Sequence, residues 1–121
     1  MSKRILVIED QEDNRTIIRD LLAANDFEVI EAVTGEEGVA AAAREKPDLI
    51  LMDIQLPGLD GYEATRQIKA NADVKETPII AVTSYALSGD DKKAFAAGCD
   101  GYVTKPFSPR QLLAKIKEFL A

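Results

Sequence analysis

Leu49-Ile50-Leu51-Met52-Asp53-Ile54-Gln55-Leu56-Pro57-Gly58-Leu59-Asp60-Gly61 is the stretch on which the fold turns. Four apolar residues run without polar alternation and stop at a carboxylate; turn formers and an Asp60 helix cap follow. An unbroken apolar run of this length suits a strand covered on both faces, as in a parallel sheet sandwiched by helices. Asp53 then stands at the carboxyl end of a central strand, where open parallel sheets place their sites.

Working outward, similar runs recur at Ile5-Leu6-Val7-Ile8, at Ile79-Ile80-Ala81-Val82 and, more weakly, at Gly101-Tyr102-Val103. Phe27-Glu28-Val29-Ile30 alternates in part, which predicts a half-covered edge strand. Between the runs lie segments with helical spacing. The clearest carry Ile17, Ile18, Leu21 and Leu22 in the first, and Leu112, Leu113, Ile116, Phe119 and Leu120 in the last. Ser108-Pro109-Arg110-Gln111 reads as a capping box with proline at the first helical position. Middle helices are expected over 36–44, over 62–71 after the Asp60 cap, and over 90–97, stopping at Gly98. Strand and helix alternate five times without a linker. The predicted fold is α/β: a doubly wound, five-stranded parallel sheet, (βα)5, forming one domain over 1–121 with no output domain.

Composition narrows the function. The net charge of −6 is spread along the chain and leaves no basic stripe for nucleic acid or an anionic membrane. No apolar run approaches the roughly 20 residues needed to span a bilayer, and Met-Ser-Lys-Arg leads straight into a strand. The expectation is a cytoplasmic protein. Cys99 is the only cysteine and reads as a small core residue. There is no histidine, so any chemistry must run on carboxylates, hydroxyls and lysine, or on a partner's groups.

The residues following the central runs are Glu9-Asp10, Asp53, Thr83-Ser84 and Thr104-Lys105. Polar strand ends are ordinary one at a time. Together they crowd three carboxylates on one rim, which raises their pKa values and destabilises the fold unless a cation neutralises them. A hard divalent ion, Mg2+ with Mn2+ as a substitute, fits a partial cage of Asp10, Asp53 and one loop carbonyl, with waters left for a phosphoryl group. Lys105 supplies a cation and Thr83 a hydroxyl for the remaining phosphoryl oxygens.

Glu9-Asp10, Asp53 through Gly61, Thr83 and Lys105-Pro106 together resemble the signature of response-regulator receiver domains, with a CheY-like, flavodoxin-like fold, over essentially the whole chain. In overall pattern the sequence looks most like single-domain regulators of the DivK type. The resemblance implies that Asp53 is the phosphoacceptor in two-component signalling. It implies Mg2+ held by Asp10, Asp53 and the Gln55 backbone carbonyl, with Glu9 acting through a bound water. Thr83 and Lys105 would hold the phosphoryl oxygens, Tyr102 would follow Thr83 in the switch, and Ser84, Tyr85 and Gln55 would govern water access. A cis Lys105–Pro106 peptide is implied too. The phosphoryl donor would be a sensor histidine kinase or phosphotransfer protein, and a downstream protein would meet the face of the fourth helix, last strand and last helix. Departures are Ser84, where alanine is frequent, and Leu56, where methionine is. Neither removes a functional group.

Rival readings fare worse. An aspartate-nucleophile phosphohydrolase would resemble Asp-x-Asp, but Gln55 holds the second acidic position. A flavin mononucleotide binder needs a hydroxyl- and glycine-rich loop after its first strand, whereas Glu9-Asp10-Gln11-Glu12-Asp13 would repel the phosphate. A degenerate receiver scaffold would lack some of the phosphorylation residues. A receiver excised from a hybrid kinase, or a phosphorelay intermediate, remains compatible with the sequence.

Overall fold

The computed structural model describes residues 2–84 and 90–120. Five strands, β1 (Arg4–Ile8), β2 (Glu28–Ala32), β3 (Leu49–Asp53), β4 (Ile79–Thr83) and β5 (Gly101–Thr104), alternate with five helices. These are α1 (Glu12–Ala24), α2 (Gly35–Glu45), α3 (Gly61–Ala70), α4 (Asp90–Ala97) and α5 (Pro109–Leu120). The strands form one parallel sheet in the order β2-β1-β3-β4-β5. Strand order reverses between β1 and β3, and a crevice opens at their carboxyl ends where neighbouring connections diverge to opposite faces.

The unbroken apolar runs divide by parity between two cores. Ile5, Val7, Leu49, Leu51 and Ile80 meet Ile18 and Leu22 of α1 and Leu112 and Ile116 of α5. Leu6, Ile8, Ile50, Met52, Ile79 and Ala81 meet Ala41 and Ala42 of α2, Ala64 and Ile68 of α3, and Ala94 of α4. Each fully buried Leu or Ile stabilises the fold by about 1.5–3 kcal/mol relative to exposure, so a polar residue inside these runs would be costly. The second face takes small alanines where the first takes leucine and isoleucine, which lets three helices lie close on it.

Helix ends follow the sequence cues. Asp60 and Thr34 accept from the Glu63 and Glu37 amides at 2.9 and 3.0 Å. Ser108 and Gln111 exchange side-chain to backbone bonds at 3.0 and 3.1 Å, completing the expected capping box. Gly98 ends α4 at φ +113°, a conformation that disfavours any side chain. Cys99, next in the chain, is buried against the Thr65 hydroxyl, and burial pushes its thiol up to about 11.

Three boundaries differ from expectation, the smallest shift being in α3, which runs over Gly61–Ala70 instead of 62–71 because Gly61 follows the Asp60 cap directly. The edge strand runs over Glu28–Ala32 instead of 27–30, because its ladder pairs Arg4 with Glu28 and Ile8 with Ala32. Phe27 packs partly into the core beside α1, before the strand begins. Helix α2 extends one residue past each end of the expected 36–44, since Gly35 follows the Thr34 cap directly and Lys46 closes the helix in the left-handed region at φ 47°.

Candidate functional site

Glu9 follows β1, and Asp53 ends β3; both keep the parity of Val7 and Leu51, toward α1 and α5. They are 1% and 4% exposed, unusual burial for carboxylates. Asp10, half-buried, joins them: one carboxylate oxygen from each of the three lies within 4.8 Å of the others. The loop beyond Asp53 is folded back tightly, with the Gly61 amide donating to the Ile54 carbonyl at 3.1 Å. A Cβ at Gly61 would stand 2.4 Å from the Asp53 carbonyl oxygen, so the closeness of α3 to the rim depends on that glycine.

Lys105 reaches in from beyond β5, its Nζ 2.8 Å from Glu9 Oε1 and 3.6 Å from Asp53 Oδ2. The Lys105–Pro106 peptide is cis, as the resemblance implied. One ammonium thus faces two of the three clustered carboxylates. The consequence is visible in the ionisation of the pair. Burial first, then the hydrogen bond and charge of Glu9, push Asp53 up to about 7, against the pull of Lys105 and of the Gln55 amide, which donates to Asp53 Oδ1 at 3.0 Å. Burial alone would raise Glu9 as well, but its hydrogen bonds with Asp53 and Lys105 and the Lys105 charge bring it below the ordinary value. Without a metal ion, burial and the neighbouring Glu9 thus favour the protonated form of Asp53.

Thr83, buried at the end of β4, accepts a hydrogen bond from the Gln55 side-chain amide, and the Ser84 amide donates to Gln55 Oε1 at 3.0 Å. Tyr102 is half-buried against the core that also holds Ala81, its register partner across β4 and β5. The structure therefore brings Glu9, Asp10, Asp53, Gln55, Thr83, Ser84 and Lys105 to one rim, with Tyr102 two register pairs below Thr83. Tyr85 lies outside the described residues, as do 86–89 of the connection after Ser84.

Two participants were not legible in the sequence. Gln55 was singled out for its carbonyl and for water access, not for a side-chain bridge between the ends of β3 and β4. Arg15 was not singled out at all, yet its Nη1 donates to the Glu9 carbonyl at 3.0 Å. Arg15 stands three and seven residues before the buried Ile18 and Leu22, on the inward stripe of α1, but the sequence does not name its partner there.

The pattern of the response regulator receiver domain matches residues 5–117. The chain belongs to the response-regulator receiver family. Among receiver relatives, it is 39% identical to the polar-differentiation response regulator DivK of Brucella ovis, covering 99% of this chain and 98% of that protein. Among solved structures, the receiver domain of sensor histidine kinase PA1611 from Pseudomonas aeruginosa, with a magnesium ion coordinated in its active-site cleft, is 38% identical with a TM-score of 0.92. The match covers 99% of this chain and 98% of that one. Vibrio cholerae chemotaxis protein CheY4 is 26% identical with a TM-score of 0.93, covering 98% of this chain and 99% of that one. This receiver shares the parallel (βα)5 plan of those structures. Receivers are signalling modules of two-component systems, and no helix among the described residues is long and apolar enough to cross a membrane.

Proposed function

We propose that this receiver accepts a phosphoryl group on Asp53 from a phosphohistidine of a sensor histidine kinase or phosphotransfer protein, with Mg2+ in the acidic rim, and signals through altered protein contacts. The observation that carries this reading is the cluster of Glu9, Asp10 and Asp53, in which the two buried carboxylates, Glu9 and Asp53, face Lys105. The donor set is all oxygen and carries excess negative charge, which suits a hard divalent ion. Asp10, Asp53 and the Gln55 carbonyl would hold the ion, with Glu9 acting through a water. Bound Mg2+ would offset charge on the phosphoryl oxygens, and Mn2+ would serve in its place.

This chain's own groups do the rest. Asp53 is the nucleophile, held by the Gln55 amide. Lys105 Nζ, 3.6 Å from Asp53 Oδ2, would leave Glu9 for a phosphoryl oxygen, and the Thr83 hydroxyl would bind another. Thr83 would exchange its bond from Gln55 for one to the phosphoryl group. Tyr102 would follow, and the support is geometric: Tyr102 pairs with Ala81, which shares Thr83's face of β4. The face of α4, β5 and α5 would then change for a downstream protein. Ser84, Tyr85 and Gln55 would set how fast water reaches the acyl phosphate.

The chain is read as one receiver domain that acts alone in the cytoplasm, without nucleic acid, membrane or an enzymatic turnover of its own beyond gain and loss of its phosphoryl group. The near-complete mutual coverage with DivK supports that placement. Placement as the receiver module of a hybrid histidine kinase or a phosphorelay intermediate is supported by the equally full match to the PA1611 receiver.

The test is intact-mass spectrometry after incubation with Mg2+ and acetyl phosphate, then with a phosphorylated histidine phosphotransfer protein. One phosphoryl group on wild type and none on Asp53→Asn is expected. An adduct that persists in Asp53→Asn, or no adduct from either donor, overturns the reading.

A further inference from the structure

Glu9 and Asp10 form the connection between β1 and α1, and its backbone is held from two sides. The Glu9 amide donates to the Ala32 carbonyl of β2 at 3.0 Å. The Glu9 carbonyl, part of the peptide that carries Asp10, accepts from Arg15 Nη1 at 3.0 Å. Arg15 is itself anchored: its Nε lies 3.2 Å from Glu31 Oε1, and the side chain is 17% exposed. Glu31 is the register partner of Val7 on the edge strand. One planar guanidinium therefore ties α1, the edge strand and the peptide between two rim carboxylates, a forked contact that an ammonium cannot reproduce.

We propose that Arg15 is a positioning residue for the metal-binding rim, fixing the Glu9–Asp10 peptide so that the Asp10 carboxylate faces the ion; this rests on the Mg2+ reading above. Charge and geometry make opposite predictions for its removal. Deleting the cation that touches the Glu9–Asp10 peptide leaves the acidic rim with less positive charge beside it, and by Coulomb's law alone tightens Mg2+ binding. Deleting a group that orients a ligand weakens it, and such partners are worth on the order of ten-fold or more in metal affinity. A plain surface ion pair would move neither.

Isothermal titration of the full chain with MgCl2 separates these cases. Arg15→Met, which keeps the apolar stem, is expected to weaken Mg2+ on the order of ten-fold. Arg15→Lys should recover only part of the loss. Glu31→Gln should weaken binding less, and no further when combined with Arg15→Met, because the carboxylate acts through the guanidinium. Arg19 also faces Glu31, at 3.7 Å, and no bond from it to Glu9 is found among the described residues; Arg19→Met should leave Mg2+ affinity unchanged. Metal-free melting of each variant checks the fold, and Glu31→Gln with Arg15→Lys carries the test if Arg15→Met unfolds. Unchanged or tighter Mg2+ binding in the folded Arg15 variants overturns the proposal, as does equal weakening by Arg19→Met. A wild type that takes up no Mg2+ in the same titration removes the metal reading itself, and the positioning role with it.

Discussion

Two clusters of charge sit at opposite ends of the same strands. At the amino ends, the Arg4 guanidinium donates to the Glu45 carbonyl and pairs with its carboxylate, both at 2.6 Å, and faces Glu28 at 3.8 Å. The Arg4 amide donates to Asp48 at 2.8 Å. All the side chains of these ion pairs are partly exposed, and the bonds from Arg44 and Arg4 hold Glu45 below the usual carboxylate range. At the carboxyl ends, three carboxylates cluster; the two that face Lys105 are almost fully buried, and one of these is pushed up to about 7. The first cluster is satisfied by its own members. The second is complete only with a proton or a cation, and that deficit marks it as a site.

The most damaging way to break the contrast is Gly61→Ala. Its Cβ would meet the Asp53 carbonyl oxygen at 2.4 Å and the Ile54 Cα at 2.6 Å, both backbone. A loss of about 3 kcal/mol is expected, the upper end for overpacking, readable by urea denaturation. A loss below about 1 kcal/mol would mean that the loop yields easily and the rim is not held by that approach.

Mg2+ should act on one end alone. At roughly a hundred-fold excess over its Kd the ion is expected to add about 2.7 kcal/mol by mass action, seen as a rise in Tm that EDTA reverses. Asp10→Asn and Asp53→Asn should each abolish most of that rise, while Arg4→Met should keep it. A similar Mg2+ response in all three variants would place the ion elsewhere.

Metal-free stability should also carry a pH signature. The folded state holds the Asp53 proton to about pH 7, while an unfolded aspartate releases its own near 4. Folding therefore takes up a proton between those values, and Asp53's contribution to stability falls as pH rises across them. The lowered Glu9 works the other way, contributing stability that is lost as pH falls through its folded value. Asp53→Asn should flatten the decline and raise the metal-free Tm at pH 8. An unaltered profile would show that the pair holds no proton.

The smallest effect belongs to the satisfied cluster. Arg4→Met should cost about 1 kcal/mol or less, as partly exposed pairs do. A larger loss would make the amino end a fastening point of the sheet.

Much of this was legible because the physics is local. Runs such as Ile79 to Val82 must be buried on both faces, so the parallel sheet and the alternation of helices follow from them, and a polar residue after each run must reach the same rim. Cap chemistry at Ser108 located a helix start on the residue, and that at Asp60 came within one residue. What stayed hidden depends on neighbours distant in sequence. The edge strand's true span is fixed by its ladder with β1, not by Phe27's own preference. Likewise, the Gln55 bridge to Thr83 and Ser84 spans 28 and 29 residues, and the grip of Arg15 on the Glu9 carbonyl needs α1 already docked beside β2.

The buried thiol has a practical consequence. With Cys99 held against Thr65 and pushed up to about 11, almost no thiolate is available at neutral pH. A maleimide dye would pass it by. Phe95, half exposed on α4, could be exchanged for cysteine and carry a single fluorophore with the native thiol left in place. Conformational reporting on that helix could then proceed in the otherwise unaltered chain.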